Sequence, residues 1–371
     1  MLPRRSIAAR STVSAAAAAL IALVIVPWGH SAGVAARQAV SALPRVRLVA
    51  TGGTISNRRG GRLTAEELVG TIPKVVDYAR PEFEQFANVA SSELTLRQFV
   101  QIARRVGELL DDGDMAGVVV TSGTDTLEEL AYFLHLTVRS AKPVVVVGAM
   151  RNPSTIGYEG PANLLEGFRV AADPASRGRG VLVVMNDEIN SAREVTKTDA
   201  LRLQTFQSRA YGVLGVVDAD RVVYYRQIER RHTSRTEFDV ARLGDLPRVD
   251  VIYVYQDAPG DLIKAAVDLG AKGLVIASAG AGATSGTQMD GLRYAAEKGV
   301  FVVTSTRTGS GRIAAPLPGT PSPEASGQNA RLLSFSVAAE DLMPAKARVL
   351  LMLALSTTSD RGEIQRMFRE Y

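Results

Sequence analysis

Two threonines, Thr51 and Thr54, bracket a double glycine in the stretch LVATGGTISNRRGG, residues 48–61, where an apolar run ends. Glycine reaches positive φ without penalty, so the plainest reading of TGGT is a tight turn. Small hydroxyls at a strand end also do chemistry when something activates them. Two further stretches carry suitable groups. In GVVVTSGTDTLEELAYFL, residues 117–134, Thr124 and Asp125 follow a strand that ends at Thr121. Thr126 with Glu129 has the spacing of a capping box for the next helix, whose free N–H groups favour negative charge. Capping accounts for Thr126 and leaves Thr124 and Asp125 free for other work. In VVMNDEINSAREVTKTDALRLQTFQS, residues 183–208, Lys197 stands between Thr196 and Thr198. A lysine is usually a solvated charge, but beside hydroxyls in a cleft it lowers a neighbour's pKa or holds a water.

The residue inventory removes several chemistries. Cysteine is absent, and histidine occurs only at His30, His135 and His232. No zinc site and no cysteine nucleophile can be assembled from these, and no G-x-S-x-G elbow is present. His135 lies in the amphipathic stretch 127–138, where a packing or surface role is expected. His232 sits in an arginine-rich segment and reads as solvated surface, far from His135. Gly280 and Gly282 approach a dinucleotide fingerprint, but the third glycine is displaced. No cofactor and no metal are expected.

The elements that must position these groups are short β-branched runs: 47–50, 117–121, 143–148, 181–185, 251–255, 273–277 and 300–304. Helix-length segments separate them, the pattern of parallel strands in an α/β fold. Functional groups of such sheets gather just beyond the strand C-termini, where TGGT, GTDT and TKT all fall. A polar, arginine-rich stretch, 226–248, divides the chain. The expectation is α/β: two α/β domains with mostly parallel sheets, a larger N-terminal one over 37–245 and a smaller one over 249–371. An apolar helix is expected over 345–356, and the Pro/Gly/Ser-rich stretch 316–328 reads as a surface loop.

At 371 residues, 46% hydrophobic and 22% charged, the chain can bury a substantial core. Residues 1–36 differ from the rest: Arg4, Arg5 and Arg10 precede the apolar run 13–26, and small residues end at Ala36. This is the form of a secretory signal, too short for a stable membrane anchor. The Arg4–Arg5 pair leaves twin-arginine and ordinary secretion both open. The expected location is periplasmic or secreted. Cleavage after Ala36 removes three of the 43 basic residues and none of the 38 acidic ones, so the mature chain is nearly neutral. Nucleic acid is therefore not an expected partner.

The motifs TGGTI, TSGTDTLEELAYFL, VGAMR (147–151), VTKT with TFQS, and KARVLLMLAL stand in the order and spacing of the exported bacterial L-asparaginase and glutaminase-asparaginase family. The resemblance spans residues 46–371. It implies a threonine nucleophile at Thr54, a polarising pair of Thr124 and Lys197, and binding of the substrate α-ammonium by Asp125. It further implies that Ser91 contacts the substrate carboxylate and that Ala149 offers its backbone carbonyl to the amide. The substrate is then a small amino-acid amide, and the assembly a homotetramer. A hydroxyl needs a proton acceptor and the tetrahedral intermediate needs fixed donors, which this set supplies without histidine or metal.

Several positions depart from the family. Ser92 replaces a glutamine or glutamate and Ser285 an asparagine, both around the amino-acid head group. The glutamate that a neighbouring subunit donates has no clear counterpart, Glu324 being the nearest candidate. The lid tyrosine is missing, since no tyrosine lies between Thr51 and Asp77. Arg58, Arg59 and Arg62 occupy the shortened lid, the first two as solvated charges and Arg62 as a contact to the substrate carboxylate. The reading is an asparagine amidohydrolase that also acts on glutamine. A glutaminase-first enzyme is the alternative within the class. A periplasmic amino-acid-binding protein is the alternative outside it, and such a protein has no need of Thr54, Thr124 and Lys197 together.

Overall fold

The computed structural model describes residues 43–315 and 330–371. The expected signal over 1–36 and the expected loop over 316–328 with Glu324 lie outside the described residues.

The chain opens with β1 (Arg45–Gly52), which runs into a small hairpin of β2 (Asn57–Arg58) and β3 (Gly61–Arg62). Helix α1 (Ala65–Gly70) and strand β4 (Arg80–Val89) follow. Next come α2 (Leu96–Asp111), β5 (Met115–Thr121), α3 (Leu127–Thr137), β6 (Val144–Val147), α4 (Gly160–Ala172) and β7 (Val181–Met185). β8 (Glu188–Ser191) turns back against β7. The hairpin β9 (Thr196–Lys197) and β10 (Phe206–Gln207) stands apart from the large sheet, which β11 (Gly215–Val217) and β12 (Val222–Tyr224) complete.

The eight strands run in the order β12-β11-β8-β7-β6-β5-β1-β4. The pairs from β4 through β7 are parallel, as expected, and those from β7 to β12 are antiparallel. Val118 and Val120 of β5 join the core on one face, Val119 that on the other, and all three are fully buried. Covering both faces is what turns these strands into continuous apolar runs.

Strand β4 escapes an apolar-run search because it is a charged edge. Glu82 and Glu84 bind Arg45 and Arg47 of β1 across the ladder, Arg47 to Glu82 at 2.6 Å. Charges on an edge strand also discourage pairing with another chain.

The second domain holds β13 (Val249–Tyr253), α5 (Asp261–Asp268), β14 (Gly273–Ser278), α6 (Gln288–Glu297) and β15 (Phe301–Thr306). It ends with α7 (Ala330–Phe335), β16 (Ser336–Ala338), α8 (Pro344–Leu355) and α9 (Arg361–Glu370). Its four strands pair in parallel in sequence order. The apolar helix expected over 345–356 is α8, buried almost throughout. Its residues share one core cluster with α2, α3 and the inner face of the second sheet, so the halves pack through a common interior.

Two local expectations are corrected. Thr126 and Glu129 form no capping box: Thr126 caps nothing with its side chain, and its hydroxyl donates to the Ser91 carbonyl at 3.1 Å. Tertiary contact with the Ser91 loop outcompetes the local bond. Thr95 and Gln98 do form the capping box of α2.

The second correction is His232, which is neither solvated nor far from His135; the packing role expected of His135 holds. His232 is only 3% exposed, His135 is fully buried, and their ring centroids lie 5.1 Å apart. The segment around His232 folds under α3, where the Thr236 hydroxyl donates to the Leu136 carbonyl at 2.6 Å. His135 Nδ1 accepts from the Val181 N–H at 3.1 Å and so packs α3 onto β7. Local polarity misleads here because the arginines of the segment are taken up in ion pairs, Arg226 with Glu194 and Arg231 with Glu237 and Glu370, while His232 and Thr236 turn inward.

Candidate active site

The loops after β1, β4, β5 and β6 meet at the C-terminal edge of the large sheet, and their glycines explain how closely. A Cβ on Gly52 would lie 2.4 Å from the Val89 carbonyl oxygen, and one on Gly53 would lie 2.2 Å from the Gly123 nitrogen. Both also hold positive φ, 106° and 88°. The double glycine therefore serves a backbone crossing: it lets the TGGT turn press against the end of β4 and against the GTDT loop. The Gly53 N–H donates to the Val89 carbonyl at 2.8 Å and locks that contact.

The two threonines have separate duties. Thr51 is fully buried, and its hydroxyl donates to the Thr121 carbonyl at 2.6 Å, pinning β1 to β5. Such a bond contributes about 1 kcal/mol net. Thr54 is half-buried, and its hydroxyl has no hydrogen-bond partner among the described residues. The residue that completes the turn is the one whose side chain stays uncommitted.

On the facing loop, Lys197 Nζ donates to Thr124 Oγ1 at 3.1 Å and to Asp125 Oδ1 at 2.7 Å. Thr124 is buried, while the Asp125 side chain is 74% exposed. The lysine reaches them from the β9–β10 hairpin, in which it pairs with Phe206. An ammonium on Thr124 Oγ1 stabilises negative charge developing there, and the exposed Asp125 keeps carboxylate oxygen available to a cation.

Ser91 is buried beside Gly123, where an added Cβ would meet its hydroxyl at 2.8 Å. Ala149 is fully buried in the loop after β6, which Asn163 holds by donating to the Gly148 carbonyl at 2.9 Å. Arg62 lies on the β2–β3 hairpin, and its Nη1 donates to the Gly53 carbonyl at 3.4 Å, one residue before Thr54. Arg58 pairs with Glu67, and the Arg59 N–H donates to the Ser154 hydroxyl. Ser92 is exposed and bonds to nothing among the described residues. Ser285 stands in the second domain, its hydroxyl accepting from the Asp257 N–H at 2.9 Å. Its hydrogen bonds do not join it to the Thr124–Lys197 group.

Three contributors went unread in the sequence. The Tyr158 hydroxyl donates to the Ile55 carbonyl at 2.5 Å, its ring lodged where a Cβ on Gly160 would lie 2.2 Å away. Glu128 accepts from the Thr196 hydroxyl at 2.9 Å, and Lys346 is buried behind it. The only sequence signals were a glycine two residues after Tyr158 and an acidic pair opening α3. A cavity of about 440 Å³ adjoins Lys197 and is bordered by Glu128, Arg209, Tyr253 and Arg307.

The chain is a two-domain α/β amidohydrolase. It belongs to the asparaginase family: residues 45–230 match the model described as "Asparaginase, N-terminal", and residues 248–368 match "Glutaminase/Asparaginase C-terminal domain". It is 43% identical over 339 residues to L-asparaginase 2 of Bacillus subtilis, covering 89% of this chain and 87% of that one. It is 41% identical to L-asparaginase 2 of Escherichia coli, covering 90% and 95%. A solved structure of a probable cytoplasmic L-asparaginase from Campylobacter jejuni superposes with a TM-score of 0.81 at 39% identity, covering 88% of this chain and all of that one.

Proposed function

We propose that the protein hydrolyses the side-chain amide of L-asparagine to L-aspartate and ammonia through a threonyl acyl-enzyme on Thr54, with L-glutamine as a second substrate. The observation that carries this is the Lys197 ammonium on Thr124, on the loop that packs against the glycine turn before Thr54. Thr54 Oγ attacks the amide carbon as its proton passes by way of Thr124 Oγ1, which the Lys197 ammonium polarises, to the amide nitrogen. Collapse of the tetrahedral intermediate expels ammonia, and water then frees the acid. Asp125 takes the α-ammonium, Ser91 the α-carboxylate, and the Ala149 carbonyl orients the amide N–H groups. Arg62 adds a second contact to the carboxylate, while Ser92 and Ser285 border the head group.

Further readings accompany this one. The domains run over 37–245 and 249–371, four copies assemble, and residues 1–36 direct export to the periplasm or beyond. Among the described residues no helix is long and apolar enough to cross a membrane. The deciding experiment is ammonia release from L-asparagine and L-glutamine by the purified protein. Turnover of asparagine is expected; binding of either amide without ammonia would replace the enzyme reading with a binding-protein one, and faster turnover of glutamine would make it glutaminase-first.

A further inference from the structure

The strand that carries Lys197 is held by two charged side chains from helices outside its hairpin. Lys346, in the first turn of α8, is 1% exposed. Its Nζ donates to the Arg193 carbonyl at 3.0 Å and to the Val195 carbonyl, and lies 3.7 Å from Glu128 Oε2. Glu128, in the first turn of α3, turns its other oxygen to the Thr196 hydroxyl at 2.9 Å and the Lys197 N–H at 3.4 Å. Residues 193 to 197 are thus gripped on both sides, by a cation on two carbonyls and by an anion on a hydroxyl and an N–H.

Burying an ammonium costs several kcal/mol unless acceptors and a counter-charge replace its water. Burial pulls Lys346 down to about 8, against the raising influence of Glu128. A fold that needed only packing here would do as well with an apolar residue of similar volume. What an apolar residue cannot do is fix the two carbonyls that set the direction of the chain entering Lys197.

We propose that Lys346 and Glu128 are positioning residues for amide hydrolysis, clamping 193–197 so that the Lys197 ammonium rests on Thr124. The second domain thereby takes part in the first domain's chemistry through α8. The inference rests on the role given above to Thr124 and Lys197.

The test measures kcat, KM and Tm for Lys346→Met and Thr196→Val, each alone and combined with Lys197→Met. Misplacing a catalytic group by about 1 Å costs up to ~100-fold in rate, so Lys346→Met is expected to lower kcat by roughly 10- to 100-fold with KM within about twofold. Thr196→Val, which removes one bond of the clamp at little risk to the fold, should lower kcat about threefold to tenfold with Tm nearly unchanged. In the Lys197→Met background either change should cost less than about twofold, because the group being placed is gone. Wild-type kcat in the folded variants overturns the proposal, as does the same fold-loss in both backgrounds, the mark of a purely structural role. If Lys346→Met fails to fold, Thr196→Val decides by the same criteria. Full ammonia release by Lys197→Met alone would overturn the reading of the site and the clamp together.

Discussion

The hydroxyl of Tyr158 donates to the carbonyl of Ile55 at 2.5 Å, so a residue about a hundred positions away fixes the turn that follows Thr54. The β2–β3 hairpin holds no tyrosine, and this one arrives from the loop after β6. Tyr158→Phe should keep the fold, lower Tm by a few degrees for a lost bond of about 1 kcal/mol, and reduce kcat about tenfold. Unchanged kcat would mean that the bond serves stability alone.

Thr54→Ala is expected to lower ammonia release by several orders of magnitude with little change in Tm. The side chain lost is small, half-buried and free of hydrogen bonds to the described residues. Lys197→Met should cost nearly as much, since residues acting as a unit lose most of the rate when any one is removed. Wild-type turnover by Thr54→Ala would reassign the nucleophile.

Arg62 sits at the Gly53 carbonyl by a long 3.4 Å bond and makes no salt bridge among the described residues, which leaves its guanidinium available to the carboxylate that the proposed function assigns to it. Arg62→Ala should raise KM about tenfold and lower kcat by less than about threefold, the signature of lost uniform binding. An unchanged KM would make this arginine part of the solvated hairpin with Arg58 and Arg59.

Light scattering should find four copies. Among the described residues β13 is an edge strand with one side unpaired, with Val251 40% and Tyr253 55% exposed along it and Tyr255 45% exposed just beyond. An apolar, aromatic edge of this kind is a surface that proteins cover. A fully active monomer would contradict the assembly.

Acid should weaken the fold through the histidine pair. Burial, with Arg235 nearby, holds His232 at about 4, against 6.5 for the free group, and burial, with His232 beside it, also holds His135 well below its free value. Between about pH 6.5 and 4 the unfolded chain therefore binds protons that the folded chain does not, and stability falls as pH falls through that window. His232→Gln should flatten the slope of Tm against pH there. An identical slope would remove the pair from the acid response.

Much of this protein was legible as one-dimensional pattern. Parallel strands buried on both faces must be apolar throughout, so β1, β5, β6, β7 and β13 to β15 declared themselves, and the threonine and glycine motifs fell at their C-terminal ends. Strands β4, β8, β11 and β12 did not: β4 is a charged edge, and β8, β11 and β12 span only three or four residues each. The residues named for the chemistry came from the resemblance of those motifs to the asparaginase family; that Thr124 meets Lys197 across 72 intervening residues is a matter of chain path. The same holds for the two histidines brought ring to ring, for Thr126 preferring the Ser91 carbonyl to a local cap, and for Tyr158, Glu128 and Lys346. Each of those groups satisfies a partner distant in sequence, and in a packed interior a buried polar group goes to whichever partner the fold delivers, so local composition carries no trace of the choice.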